Sequence, residues 1–293
     1  MKLKKNTALV QTENKPKENE TTSGTQSIER AARILREIAS YSAHGLRLVD
    51  IARQLNLKRT TIHRILMCLI REGLVMQHSK TLRYLLGYSL FELGLTAASQ
   101  FKLREICEPC LERIAKQTGH TAFMTIRSEF DAISIARADP DPSKPMDEPV
   151  IELGIHRPLG VGAGSLAILN SLPDDEIERI VSANARRLGP YGKLTVPLLL
   201  QLVREAQEAG YASHDSRMLN GLSGVGILVR NSEGAPLGAI SITAKGASLS
   251  SEERIEMMTV LNRESRILQN QIHKANVDLD DYSKRFGDHH LIN

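Results

Sequence analysis

Apolar residues in the first third of the chain recur at helical spacing. "TQSIERAARILREIASYS" places Ile28, Ala31, Ala32, Leu35, Ile38 and Ala39 three and four residues apart, which predicts one helix face, with Arg30, Arg33 and Arg36 turned away from it. Ser27 or Thr25 is positioned to cap its start. "LVDIARQLN" predicts a second, short helix with Ile51, Ala52 and Leu55 inward, ended by Asn56, a residue that tolerates a left-handed turn. In "KRTTIHRILMCLIREG", Ile62, Ile65, Leu66, Leu69 and Ile70 follow i, i+3, i+4, i+7, i+8, so that stripe must be buried. At about 100° per residue, Thr60, Arg64, Met67 and Arg71 fall on the opposite side, flanked by Thr61, His63 and Cys68. Gly73 stands where a helix ends in a left-handed cap. "LVMQHSKTLRYLL" then gives two short extended runs around His78-Ser79-Lys80, readable as a hairpin. Helix, helix, turn, helix, hairpin is a winged helix-turn-helix, a fold that sets its last helix in the major groove.

The remainder mixes periods. "YSLFELGLTAASQ" is a helix long enough to connect two modules, and "LREICEPCLERIAKQTG" is another, ended by Gly119. "TAFMTIRS" and "DAISIARAD" alternate as neighbouring strands do, whereas the prolines and acids of "DPDPSKPMDEP" make a surface loop. Helical spacing returns in "GAGSLAILNSL", in "DDEIERIVSANARRL" behind Pro173, and in "LLLQLVREAQEAG". "GYASHD", "GVGILVRN" and "PLGAISITA" read as strands, with "NSEGAP" as a turn. A last helix, "SSEERIEMMTVLNRESRILQNQIHKA", is capped by Ser250 or Ser251. The fold class predicted is α+β, with helices packed over mixed strands.

Charge sharpens this division. The net charge of +4 conceals 11 Lys and Arg against 4 Asp and Glu in residues 26–88, and 22 against 27 in residues 89–293. A basic module joined to a mildly acidic one fits a polyanion-binding domain fused to a different function. No apolar run reaches the roughly 18 residues that span a bilayer. The basic start, "MKLKKNTALVQTENKPKENETTSG", has no long apolar stretch behind it and reads as an arm rather than a signal peptide. Three cysteines, an odd number, point to free thiols in a reducing cytoplasm.

Catalytic patterns are approached but not met. Around Ser165, Ala163 and Ala167 stand where a nucleophile elbow needs glycines. "GPYGKLT" has the wrong spacing for a phosphate loop, and "GLSGVGILV" lacks the last glycine of a dinucleotide fingerprint. Cys107-Glu-Pro-Cys110 is a lone pair without a second ligand pair nearby, and His289-His290 alone makes no metal site. No catalytic residue, metal or cofactor is therefore expected.

"QSIERAARILREIA", "LRLVDIARQLNLKRTTIHRILMCLIREGLV" and "RYLLGYSLFELG" resemble the N-terminal half of IclR-family transcriptional regulators. "GYASHD…GLSGVGILVRNSEGAPLGAISITA" resembles the effector-binding half of the same family, in the same order and spacing. The resemblance implies a winged helix-turn-helix joined by a helix to a GAF-like α/β effector-binding domain. It implies a homodimer or homotetramer acting on a palindromic double-stranded DNA operator under the control of a small organic acid, with no membrane role. The division expected is an arm over 1–25, the DNA-binding domain over 26–88, a linker helix over 89–103, the effector domain over 104–274 and a polar tail over 275–293.

On that reading Arg59, Thr60, Thr61, His63 and Arg64 meet the operator, with Lys58 and the wing residue Arg83 on phosphates. The resemblance further places the backbone of Gly162 and Ala163, together with His214, Gly224, Ser241 and Thr243, around the effector. Ser241 and Thr243 lie two apart on a strand and share a face. Family members often carry a lysine where this chain has Ser165. Members that sense short keto acids have acidic and thiol side chains where this chain has His214 and Gly224. Glycine leaves room and a protonated histidine can pair with a carboxylate, which favours a bulkier, aromatic or longer acid. An enzyme acting on a small carboxylic acid, fused to a DNA-binding module, is the alternative; a ligand-free scaffolding domain is a third.

Overall fold

The computed structural model describes residues 25–41, 44–98, 102–146, 152–231, 233–246 and 248–275. The arm before Thr25 and the tail after Ala275 lie outside the described residues.

Helices α1 (Thr25–Ala39), α2 (Leu48–Gln54) and α3 (Arg59–Arg71) pack with a hairpin of β1 (Val75–Gln77) and β2 (Tyr84–Leu86). Their shared core holds Ile34, Ile38, Ile51, Ile62, Leu66, Leu69, Val75 and Tyr84. Burying each Ile or Leu contributes about 1.5–3 kcal/mol. The stripe on α1 differs from expectation. Ile34 is fully buried beside Ile38, while Ile28 is 72% exposed, so the buried face is turned toward Ile34 and Ile38 and away from Ile28. Residues at Thr25 are already helical, so Ser27 lies inside α1 and does not cap it. Asn56 takes φ +52° in the turn between α2 and α3, and Gly73 takes φ +70° after α3. An isolated bridge between Leu46 and Tyr84 ties the segment before α2 to the wing.

Helix α4 (Tyr88–Ala98) occupies the expected linker, and residues 99–101 lie outside the described set. Helix α5 (Leu103–Thr118) opens the second module, and Leu103 is already part of its core. A six-stranded sheet follows, built from β3 (Thr121–Ser128), β4 (Asp131–Ala138), β5 (His156–Pro158), β6 (Ala212–His214), β7 (Leu222–Arg230) and β8 (Pro236–Lys245). Its order is β5-β4-β3-β8-β7-β6, and every pairing is antiparallel. Helices α5 and α9 (Ser251–Lys274) cover one face through Leu111, Ile114, Leu261 and Leu268. Helices α6 (Ala163–Leu169), α7 (Asp174–Asn184) and α8 (Val196–Ala209) cover the other. With both faces covered, Thr121 to Ile126 are buried without interruption, so β3 loses the half-exposed alternation its sequence suggests. Ser250, not Ser251, caps α9, in a capping box with Glu253.

Candidate DNA-binding face and ligand cavity

The recognition face arises from two constraints on α3. Ile62, Leu66 and Leu69 must be buried, and Lys58 is extended so that the helix starts abruptly at Arg59. The exposed side therefore carries Arg59, Thr60, His63, Arg64, Met67 and Arg71, with Thr61 half-buried at its edge. Among the described residues no carboxylate pairs with Lys58, Arg59 or Arg64; Arg71 does lie 3.5 Å from Glu72. The cations nearest the start of α3 therefore have no ion-pair partner among the described residues.

The wing is organised by its own side chains. His78 Nδ1 accepts from the backbone amides of Lys80 and Thr81 at 3.2 and 3.3 Å, and Leu82 takes φ +55°. Lys80, which the sequence reading did not single out, sits exposed at the tip. Arg83 is half-buried, and its Nη1 donates to the Gly45 carbonyl at 2.8 Å. That bond fastens the wing to the turn before α2, so only the remaining guanidinium donors of Arg83 can face a phosphate.

The second module encloses a cavity between α6 and the sheet. Its walls include Phe123, Thr125, Ser134, Arg157, Ser241 and Thr243, with Gly162, Ala163, Gly164 and Leu219 at the α6 end. The volume is about 20 Å³, roughly one water molecule. α6 comes this close because Gly226 lies beneath it: a Cβ there would stand 2.7 Å from the Ala163 carbonyl carbon. Ser241 and Thr243 are buried and both border the cavity, as their two-residue spacing requires. The Gly162 amide donates to Met218 Sδ at 2.9 Å, so a thioether from the β6–β7 loop covers that end.

Arg157 is the residue the sequence hid. It is 6% exposed, and its Nη2 donates to Ser134 Oγ at 2.8 Å, while Thr125 Oγ1 lies 3.4 Å from the same hydroxyl. Burial lowers its pKa from the usual guanidinium value, but arginine stays charged in proteins. The cavity thus has a cationic wall. His214 behaves oppositely to the cation anticipated for it. Burial lowers its pKa to about 4, so the ring is neutral at physiological pH. Neither His214 nor Gly224, the register partner of both His214 and Thr243, is among the residues that line the cavity, so these two expected ligand contacts are not brought to it.

The residues resembling catalytic motifs have structural partners. Ser165 Oγ accepts from the Gly160 amide at 2.7 Å. Burial pushes the Cys107 and Cys110 thiols up to about 12, which keeps them protonated and unreactive. Among the described residues no group of three or more His, Cys, Asp or Glu could hold a metal, and no helix is long and apolar enough to cross a membrane.

Comparison with known proteins bears on both modules. Residues 27–79 match the IclR helix-turn-helix domain, and residues 95–269 match the bacterial transcriptional regulator IclR C-terminal domain. The chain is similar to the HTH-type transcriptional repressor AllR of Salmonella typhimurium, with 26% identity over 233 residues, covering 79% of this chain and 84% of that protein. A crystal structure of an IclR transcriptional regulator from Alicyclobacillus acidocaldarius has the same fold, with TM-score 0.65, 23% identity and coverage of 84% and 98% of the two chains. So does that of an IclR homologue from Microbacterium hydrocarbonoxydans complexed with 4-hydroxybenzoate, with TM-score 0.62, 20% identity and coverage of 85% and 100%.

Proposed function

The chain belongs to the IclR family of bacterial transcriptional regulators, and from that premise we propose that it acts in the cytoplasm as a dimer, or a tetramer of two dimers, on a palindromic operator under the control of a small organic acid. The DNA half of this reading is carried by the unpaired cations at the start of α3. Arg59, Thr60, Thr61, His63 and Arg64 face the base edges and Lys58 a phosphate, joined from the wing by Lys80 and the remaining donors of Arg83. A two-fold dimer presents two such helices, so the operator has half-sites about 34–36 Å apart or a multiple of that.

Helix α4 supplies the dimer contact in this reading. Tyr88, Phe91 and Leu95 lie on one side of it and are 70%, 57% and 60% exposed, an apolar stripe that water does not favour. Phe91→Glu combined with Leu95→Glu is expected to halve the sedimenting mass and to abolish operator binding, because one module alone holds one half-site. The thermal midpoint of the DNA-binding module should hardly change. A variant that stays dimeric moves the contact elsewhere.

Arg157 carries the effector half. A buried cation on a cavity wall favours an anion, and a guanidinium matches a carboxylate in shape as well as charge. The Microbacterium homologue holds 4-hydroxybenzoate, which supports an aromatic acid here. Gly162, Ala163, Ser241 and Thr243 complete the polar lining. A cavity of about 20 Å³ must enlarge to admit such a ligand, and Met218 and Leu219 are the cover that moves. The loop carrying Met218 presses on the next one: the Lys193 amide donates to the Arg217 carbonyl at 3.0 Å. Beyond Lys193 lies Tyr191, whose electrostatic neighbours include Arg157, Arg187 and Tyr41. Glu37 of α1 faces Arg187 and Asp131 in turn, so displacement of Met218 has a path to the spacing of the DNA-binding domains. Control by this path requires the acid to bind the two arrangements with different affinity.

The test is binding of the full chain to fragments of its own genome at physiological salt with competitor DNA. A recovered palindrome whose affinity changes as acid is titrated supports the reading. Sequence-blind, salt-sensitive binding in the presence and absence of acids rejects it.

A further inference from the structure

The tip of the wing is held in shape by one imidazole. Gln77 to Leu82 are all exposed, and of the two hairpin strands only Val75 and Tyr84 belong to the core of the first module, so packing does not fix the tip. Hydrogen bonds do. The His78 amide donates to the Arg83 carbonyl at 2.8 Å, and the His78 carbonyl accepts from the Leu82 amide at 2.9 Å. Between them, His78 Nδ1 accepts from the amides of Lys80 and Thr81, at 3.2 and 3.3 Å.

That set of bonds is the start of a helix reduced to a single turn. A capping residue accepts with its carbonyl from the amide four residues on, and with its side chain from amides two or three residues on. His78 does both. The role usually falls to Ser, Thr, Asp or Asn, and histidine is not among them. Two amides on Nδ1 require that nitrogen to be bare, which puts the ring proton on Nε2 of a neutral ring. An aspartate would cap the turn as well, but would set a full negative charge at the tip. Lys80 is the cation of this turn, its amide is one of the two pinned, and Gln77 to Leu82 contain no carboxylate. A neutral cap beside a lysine suits a surface that meets phosphates.

We infer that His78 is a positioning residue for DNA binding: its Nδ1 caps the wing turn so that Lys80 is presented, already ordered, to the sugar-phosphate backbone. Ordering the tip in advance removes a cost that binding would otherwise carry. Gln77 Nε2 braces the other side of the turn by donating to the Leu82 carbonyl at 3.1 Å, but a donor cannot replace the acceptor that the two amides need. The inference rests on the DNA-binding reading and adds to it what holds the wing in shape and why that group is uncharged.

Three substitutions separate shape from charge, with binding of the full chain to a random-sequence duplex of about 40 base pairs measured at low and at physiological salt. His78→Ala removes the acceptor and should weaken binding about five- to tenfold. His78→Asn keeps an acceptor on the same carbon and should stay within about twofold of the wild type. His78→Asp also keeps the acceptor, yet should bind about tenfold more weakly than His78→Asn at low salt, with the gap closing as salt rises. All three should melt with the wild type, because the tip lies outside the core. Wild-type affinity in His78→Ala overturns the cap, and so does a His78→Asn variant as weak as His78→Ala. Equal binding by His78→Asp and His78→Asn at low salt takes the tip off the DNA and overturns the positioning role. A wild type that binds no duplex is a different failure: it removes the DNA-binding reading, and this inference with it.

Discussion

Arg64→Ala should weaken binding to the operator by roughly 10- to 100-fold, the loss that goes with one arginine at a base edge, about 1–3 kcal/mol. Binding to unrelated DNA should fall only a few-fold. The asymmetry follows from the helix. Ile62, Leu66 and Leu69 fix which side of α3 is buried, and Arg64 lies diametrically opposite them, where a helix in the major groove reaches deepest. It is exposed, and among the described residues no carboxylate competes for it, so its removal should shift folding stability by no more than about 0.5 kcal/mol. Lys58→Ala provides the contrast. A phosphate contact carries no sequence information, so its loss should weaken all DNA alike and lower the salt dependence by about one ion. Competition titrations at two salt concentrations, with operator and scrambled duplexes, measure both effects. Equal losses for Arg64→Ala on the two duplexes would take it off the list of base readers.

The contrast between the two modules shows what a sequence can declare. The recognition helix was legible because one constraint, burial of a stripe at helical spacing, settles the position of every other residue on it. Ser241 and Thr243 were legible for the same reason with a period of two. The cavity as a whole was not. Arg157 occupies a three-residue strand, and its burial depends on pairing with Ala132 of β4 and on the cover of neighbouring loops, none of which has a local signal. Ser134 and Thr125 follow in consequence, since a small hydroxyl on a strand is marked as cavity wall only by what lies above it. The neutral state of His214 was not legible either, because its pKa is set by burial, and burial is a property of the assembled domain. On α1 the helical period was right while the phase was off by part of a turn. Ile28 and Ile34 lie about 120° apart around the helix, and only packing against the rest of the module decides which is covered.

Arg157→Met is expected to lower affinity for any effector acid by 100-fold or more, in line with the loss of about 2–5 kcal/mol when one partner of a buried charge pair is removed. Methionine keeps much of the length and apolar bulk of arginine. Replacing a buried charge with an apolar side chain is often neutral for folding, so the variant should melt near the wild type. Operator binding should persist, because Arg157 lies in the second module, but it should no longer respond to the acid. Arg157→Lys separates charge from shape: a lysine retains the cation but not the planar fork that serves both Ser134 and a carboxylate, and should fall between the two. The pairing of readouts matters. A variant that loses acid binding yet still binds and releases the operator on acid addition would place control at a second site. A variant that binds acid as tightly as the wild type would shift the carboxylate to the backbone of Gly162 and Ala163, where Met218 Sδ now accepts from the Gly162 amide, and would leave Arg157 as a structural cation held by Ser134.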